Sequence, residues 1–160
     1  MGSFFDFAIE CGPTKLRANA IAMHFSDFKI TLPRQLPSSW CRTALWNDKE
    51  DWWCSVLPSG VSITGRADNT IVTKEGIYKV AMSLYSHLKR APEFRYAVCG
   101  FDVTPYDFYT YLTSEKGKQH PPFRGFVMAE YIWKLLECPK GFRKFSNGFV
   151  WYPLRLQDVE

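Results

Sequence analysis

The chain has 160 residues and a formal net charge of +4, and its residues are 46% hydrophobic and 22% charged. These values suit one globular domain and exclude disordered, collagen-like and coiled-coil chains. The aromatic content of 17% is high, so the role of the rings has to be explained. Because the chain shows neither a linker nor an internal repeat, we predict a single domain over residues 1–160.

The N-terminal segment predicts a strand, then an ambiguous element, then a short extended piece. Phe4–Glu10 alternates loosely between apolar and polar residues, and Gly12-Pro13 ends this first strand. In Leu16–Phe28 the alanine-rich centre favours a helix, while the short length leaves a strand open. Lys29–Leu32 predicts an extended piece that ends before proline.

The middle of the chain predicts antiparallel strands joined by polar turns, which together form a β-meander. The strands are expected at Trp40–Trp46, Trp52–Leu57 and Val61–Thr64, with the polar turn Asn47–Asp51 between the first two. Successive side chains of a strand point to opposite faces of the sheet. Trp52 and Trp53 must therefore lie on different faces, and at least one of them is a candidate for a second packed face or for a partner.

The strongest helical pattern in the chain follows Thr73, which can cap a helix. Apolar residues recur at helical spacing over three turns, at Ile77, Val80, Ala81, Leu84, Tyr85 and Leu88. This stripe predicts an amphipathic helix that packs on the sheet and ends at Ala91-Pro92.

The C-terminal half predicts alternating strands and short helices. We expect a strand at Phe94–Val103, a helix at Tyr106–Leu112, a polar basic loop at Ser114–Pro122, a strand at Gly125–Met128, a helix at Ala129–Glu137 and a last strand at Phe149–Leu154. The spacing further predicts core positions at Tyr85, Phe94, Tyr96, Phe126, Phe149 and Trp151. The order of elements predicts an α+β fold, with a mostly antiparallel sheet made from the N-terminal strand and the central meander, and two or three helices mainly on one face.

The cysteines and the N-terminus indicate a cytoplasmic protein. The five cysteines, an odd number, contain no CxxC pair and lie partly in apolar runs, which is typical of reduced, buried thiols. The N-terminus lacks a basic stretch followed by an apolar core, so no secretory signal is expected. No apolar run is long enough to span a membrane, and we expect no membrane association.

No motif for catalysis, metal binding or a cofactor emerges from the spacing. His24, His87 and His120 show neither HxH nor HExxH spacing, and the chain contains no GxSxG, GxGxxG or P-loop pattern. We therefore predict no cofactor and no metal, and favour a non-enzyme. An enzyme whose site is assembled from distant segments stays an alternative.

A basic and aromatic segment near the C-terminus supports a second alternative, a nucleic-acid-binding domain. Lys140–Tyr152 interleaves cations with rings, which is how single strands are often bound. Arg143 stands where an RNA-recognition strand requires glycine or alanine, and buried rings flanked by solvated lysines are the simpler interpretation. Phe142 and Phe145, which lie between cations, are candidates for exposure.

Three stretches of the C-terminal half carry a family resemblance. A strand ends in Gly100-Phe101-Asp102-Val103, an apolar strand-to-helix step spans Gly125–Trp133, and Gly141-Phe142 is followed by Phe149-Val150-Trp151. Over residues 74–155 the chain resembles immunity proteins of bacterial toxin systems and related single-domain proteins. The resemblance implies a protein that binds and blocks a cognate toxin. Because the chain is basic, complementarity would favour an acidic or neutral toxin over a nuclease.

Two charged segments with nearby aromatic residues are the predicted partner-binding face, namely the loop Lys116–Arg124 and the turn Asn47–Trp53. The candidate contact residues are Lys116, Lys118, His120, Arg124, Asp48, Glu50, Asp51 and Trp52. Tyrosine and tryptophan are favoured at protein interfaces, and both segments combine charge with nearby aromatic residues. The expected partner is a protein.

Overall fold

The computed structural model of the chain describes residues 5–30, 39–61, 73–101, 109–120 and 122–159, without the side chain of Ser39. The strands in this part are β1 (Phe5–Gly12), β2 (Lys29–Ile30), β3 (Ser39–Asn47), β4 (Trp52–Pro58), β5 (Tyr96–Phe101), β6 (Val127–Ala129), β7 (Arg143–Ser146) and β8 (Phe149–Trp151). The α-helices are α1 (Lys15–Ser26), α2 (Lys74–Leu88), α3 (Tyr109–Leu112), α4 (Glu115–Lys118) and α5 (Glu130–Leu135), and a 3₁₀ turn spans Leu156–Asp158.

The described strands form one open antiparallel sheet in the order β2-β3-β4-β1-β5-β6-β8-β7. Strand β1 lies in the interior of the sheet, where it pairs with β4 on one side and β5 on the other. The predicted β3–β4 hairpin forms with Trp46 opposite Trp53. The α+β prediction with an antiparallel sheet and two main helices is confirmed.

The first face of the sheet is covered by α1 and α2 and holds the larger apolar core. The predicted stripe of α2 is buried in full, and Thr73 Oγ1 accepts a hydrogen bond from the backbone N–H of Gly76 at 3.1 Å. Helix α1 buries Ala18, Ile21 and Phe25, so the ambiguous N-terminal segment is a helix. No helix in the described ranges has the length and apolar character needed to cross a membrane.

Two histidines join α1 to α2 near the ends of both helices. The rings of His24 and His87 stack at 3.9 Å, and Phe28 stacks on the other side of His87 at 4.0 Å. His24 Nε2 donates to the carbonyl oxygen of His87 at 2.9 Å, and His87 Nε2 donates to that of His24 at 2.7 Å. Burial lowers the pKa of His87. The hydrogen bond to the carbonyl of His24 partly offsets this, and the nearby charges of His24 and Arg90 lower the pKa further.

The second face of the sheet is also packed, by α3, α5 and the residue that follows α5. Its core consists of Ala8, Trp53, Tyr96, Val98, Leu112, Phe126, Met128, Ala129, Ile132 and Leu136. Trp53 is buried here, whereas Trp52 is half-buried against the first core, with Lys15 Nζ 5.2 Å from its ring centre. The predicted division of the two tryptophans between faces is confirmed, and the second packed face accounts for Trp53.

Some predicted elements differ from the structure. The segment predicted as a loop at Ser114–Pro122 contains α4, and β7 was not predicted as a strand. The irregular pairing of β7 with β8 turns Phe145 into the first core, where it is 5% exposed. Phe142 is half-buried. The prediction that both rings are candidates for exposure is therefore wrong for Phe145.

Most of the predicted aromatic core positions are filled as expected. Tyr85, Phe94, Tyr96 and Phe126 are buried, while Phe149 and Trp151 are half-buried against the cores. Parts of four other predicted elements lie outside the described residues. These parts are residues 31–32, 62–64, 102–103 and 106–108.

Candidate functional site

The acidic turn between β3 and β4 is held by the side chain of Asp48. Asp48 Oδ1 accepts hydrogen bonds from the backbone N–H groups of Glu50 at 3.0 Å and Asp51 at 2.7 Å. Asp48 Oδ2 accepts from Trp53 Nε1 at 2.9 Å, which ties the turn to the second core. Aspartate is favoured in turns because it bonds to the following backbone in this way. The turn is therefore ordered before any partner arrives.

The two exposed residues of this turn differ in how they are held. Lys49 has a φ of 88°, a left-handed conformation that a lysine rarely adopts, and its N–H donates to Asn47 Oδ1 at 2.9 Å. Glu50 accepts a hydrogen bond from the hydroxyl of Thr110. This bond links the turn to α3, which is 60 residues further along the chain.

The segment from α3 to α4 forms a compact helical pair next to the turn. Ser114 Oγ donates to the carbonyl of Tyr111 at 2.6 Å and accepts from the N–H of Gly117 at 3.1 Å, which caps α4. A Cβ atom at Gly117 would lie 2.0 Å from the carbonyl oxygen of Tyr111. Only glycine therefore allows α4 to pack this closely on α3.

A cleft of about 410 Å³ separates the acidic turn from the helical pair. It is lined by Asp48, Lys49, Glu50, Thr110, Tyr111 and Ser114. The turn supplies two carboxylates and a lysine, and the helical pair supplies hydroxyl groups and a half-buried tyrosine ring. The accessible surface of this lining is mainly apolar, so it can hold the carbon stem or the ring of a side chain of another molecule.

The structure brings some of the predicted contact residues together at this cleft. Asp48 and Glu50 line it. Helix α4, with Lys116 and Lys118, begins directly after Ser114, the last residue of the helical pair that lines the cleft. Lys116 and His120 are exposed, while Lys118 Nζ pairs with Glu115 Oε1 at 3.0 Å.

Three other predicted contact residues are placed elsewhere or are engaged internally. The guanidinium of Arg124 lies 4.4 Å from the ring centre of Tyr152, and its Nη1 donates to the carbonyl of Pro153 at 3.2 Å. Trp52 packs on the first core, and Asp51 is buried. These three side chains do not line the cleft.

A buried charged cluster lies behind the turn and was not predicted. Glu10, on β1, is completely buried, and its Oε2 is 2.7 Å from Arg95 Nε. Arg95 Nη2 is also 2.7 Å from Asp51 Oδ2. Burial raises the pKa of Glu10 to about 7, against the lowering effect of Arg95 and of the Gly12 N–H that donates to Glu10.

The sequence signal for this cluster is a glutamate within the otherwise apolar stretch Phe7–Cys11, and this signal does not identify the partner of the charge. Glu10 shares a strand face with Ala8 and lies between Trp53 of β4 and Tyr96 of β5 in the sheet register. In a sheet with one solvated face, a glutamate at this position would meet water. Because both faces are packed here, a charge on an interior strand requires a partner from another segment, and Arg95 is that partner.

The four buried thiols are poorly suited to nucleophilic chemistry. Burial raises the pKa of Cys41 to about 11 and of Cys54 to about 12, and it also raises the pKa values of Cys11 and Cys99. At neutral pH these four groups stay protonated, and the thiolate is the reactive form. Within the described ranges, no group of three or more His, Cys, Asp or Glu side chains could hold a metal ion.

Comparisons with protein-family models, with curated proteins and with solved structures found no match for this chain. Functional inference consequently depends on the geometry of the cleft and the cluster behind it.

Proposed function

We propose that the chain is a non-catalytic protein-binding module and, in its most specific form, an immunity-type inhibitor that neutralises a cognate bacterial toxin by direct binding. The observation that carries this proposal is the cleft between the acidic turn and the helical pair. Both of its walls are ordered by internal hydrogen bonds, from Asp48 in the turn and from Ser114 in the helical pair. A binding surface that is ordered beforehand loses less entropy when a partner docks.

The lining of the cleft suits a basic side chain of a protein partner. The carbon stem of a lysine or arginine can lie along the apolar lining while its charge pairs with Glu50, and the ring of Tyr111 offers a face for a cation. Both oxygens of Asp48 are already bonded within the turn. The exposed cation of Lys116, just beyond the helical wall, would meet an acidic group. Mixed charges of this kind favour specific partners and orient the encounter.

The nucleic-acid alternative rests on exposed cations in and before β7. Lys140, Arg143 and Lys144 are exposed, and none of them forms an ion pair within the described residues. Binding of single strands also needs rings on which bases can stack. Because Phe145 is buried and Phe142 packs on Tyr152 at 5.7 Å, this surface offers cations with few stacking platforms.

Among the residues that the structure describes, the enzyme alternative has one candidate group, the buried Glu10. A carboxyl with a raised pKa can act as a general acid or base when a substrate reaches it. Glu10 has no exposed surface and already contacts Arg95 and Gly12. These contacts favour a structural role for the carboxyl over a catalytic one.

We expect the gene next to that of this chain to encode a toxin-like protein, and calorimetric titration with that purified product would test the proposal. We expect a one-to-one complex whose affinity falls about tenfold or more when Tyr111→Ala and Lys116→Glu are combined. The matched control combines Tyr78→Ala and Lys79→Glu on α2, where Tyr78 is half-buried like Tyr111 and neither residue lines the cleft, and it should bind as the wild type does.

Two results would count against this proposal. The absence of a complex would contradict the immunity role, and equal losses of affinity in both double variants would contradict the cleft as the binding surface. Steeply salt-dependent binding of a single-stranded RNA oligonucleotide, lost when Lys140, Arg143 and Lys144 become alanine, would favour the nucleic-acid alternative.

A further inference from the structure

Arg95, just before β5, is fixed in the sheet by its backbone. Its N–H donates to the carbonyl of Glu10 at 2.9 Å, and its carbonyl accepts from the N–H of Ala129 at 2.8 Å. Its side chain is 12% exposed, and its Nε contacts Glu10 at 2.7 Å. The position and the orientation of the guanidinium are therefore both defined.

The same guanidinium reaches the turn that forms one wall of the cleft. Arg95 Nη2 lies 2.7 Å from Asp51 Oδ2, and the carbonyl of Asp51 accepts the N–H of Asp48 at 3.1 Å. The side chain of Asp48 also accepts hydrogen bonds from the backbone of the turn. The end of the turn is thus held to the sheet through Arg95.

Arg95 also contacts the helical wall of the cleft. Its guanidinium carbon lies 3.7 Å from the ring centre of Tyr109, the first residue of α3. The next residue, Thr110, lines the cleft and donates to Glu50 across it. A planar guanidinium can pair with a carboxylate at its edge while a ring stacks on its face, which an ammonium group cannot do.

We propose that Arg95 is a positioning residue that fixes the spacing between the two walls of the cleft. Its effect on partner binding rests on the function proposed above, whereas its effect on the walls can be measured without any partner. Glu10 forms an ion pair with Arg95, so the charge of Glu10 and the order of the cleft are linked.

Backbone amide exchange, followed by NMR on the chain alone, tests this directly. In Arg95→Met we expect the amides of Asp51 and Thr113 to exchange about tenfold faster or more, while that of Leu84 in α2 keeps its rate. The matched control is Arg155→Met, which removes an arginine paired with Asp158 near the C-terminus and should leave all three rates unchanged.

Two further variants separate the walls and guard against unfolding. Tyr109→Leu should accelerate only Thr113, because it removes the contact with the helical wall alone. Arg95→Lys keeps the positive charge and should protect Asp51 better than Thr113. If Arg95→Met fails to fold, the difference between Asp51 and Thr113 in these two variants decides the question.

Uniform acceleration at Asp51, Thr113 and Leu84 would overturn the proposal, because Arg95 would then stabilise the whole fold without a specific effect on the walls. Unchanged rates at Asp51 and Thr113 would also overturn it. Faster amide exchange at Asp51 and Thr113, combined with unchanged affinity for the toxin-like protein, would support the positioning role of Arg95. It would contradict the cleft as the binding surface.

Discussion

The two faces of the sheet are packed by different means. The first face is covered by two long helices, α1 and α2, and its core is almost entirely apolar. The second face is covered by the short helices α3 and α5, and it borders a buried ion cluster and a cleft. Long amphipathic helices bury large apolar areas, whereas short segments must be held by specific polar contacts. The first face therefore holds the larger, almost entirely apolar core, while the second combines a smaller apolar core with polar contacts and adjoins the surface that we propose for binding.

The two faces also respond to pH in opposite directions. The pKa of His87 between α1 and α2 is lowered, so protonation opposes folding on the first face. The pKa of Glu10 behind the cleft is raised, so ionisation opposes folding on the second face. Acid should therefore weaken the first face, while a rise in pH towards neutrality should weaken the second.

The largest effect should come from the tryptophan that fills the second face. Trp53→Ala should lower the free energy of unfolding by about 3–5 kcal/mol, because it removes a fully buried ring. Trp52→Ala should cost clearly less, because that ring is half-buried against the first core. Urea unfolding of both variants measures the difference, and equal losses would show that the division of the two rings between faces is incorrect.

The next effect in size is the pH dependence due to Glu10. Its contribution to stability is complete below pH 4.5 and is lost as the pH rises to about 7, the direction required by a raised pKa. Between pH 5 and 8, the wild type should therefore lose stability relative to Glu10→Gln. Urea unfolding at the two pH values tests this, with the exposed Glu75→Gln as the control. A relative gain by the wild type would mean that the pair with Arg95 outweighs burial.

A smaller effect of opposite sign is expected from His87. The unfolded chain takes up the proton first as the pH falls through the ordinary value of 6.5, so the stability due to neutral His87 is lost in that direction. His87→Phe keeps a stacking ring and should lose less stability than the wild type between pH 7.5 and 5.5. His120→Ala, at an exposed position, serves as the control, and identical pH dependence in wild type and His87→Phe would contradict the prediction.

The smallest expected effect concerns the reactivity of the thiols. Modification of a thiol at the surface should leave the stability of the fold unchanged. Four of the five cysteines are buried in the first core, and Cys138 is exposed. In the native state, a disulfide reagent should titrate one thiol quickly and the others only as the chain unfolds. Rapid reaction of more than one thiol would show that the first face opens readily, and Cys138→Ser identifies the fast group.

Local pattern predicted the elements well where one periodicity dominates. The stripe from Ile77 to Leu88 fixed α2, and the alternation around the turn Asn47–Asp51 fixed the β3–β4 hairpin. Phe145 was misjudged because an irregular pairing in β7 changes which way a ring points, and short segments do not show this in their sequence. Predictions of strand and helix thus succeeded where several residues share one spacing.

The site was only partly predictable, because its central contact joins distant segments. Asp48 and Glu50 were identified from their turn, and Lys116 from its charged segment. Glu10 and Arg95 are separated by 85 residues, and their pairing depends on the register of β1 with β5 and on packing of both sheet faces. Neither feature can be derived from local composition.

The most direct test of the account is an NMR map of the chain titrated with the toxin-like protein that we expect the neighbouring gene to encode. The account predicts that the largest amide shifts occur at Lys49, Thr110 and Tyr111 on the walls of the cleft, with little change in α1 and α2. Shifts concentrated on α2 or on the β7–β8 hairpin, with the cleft unchanged, would contradict it.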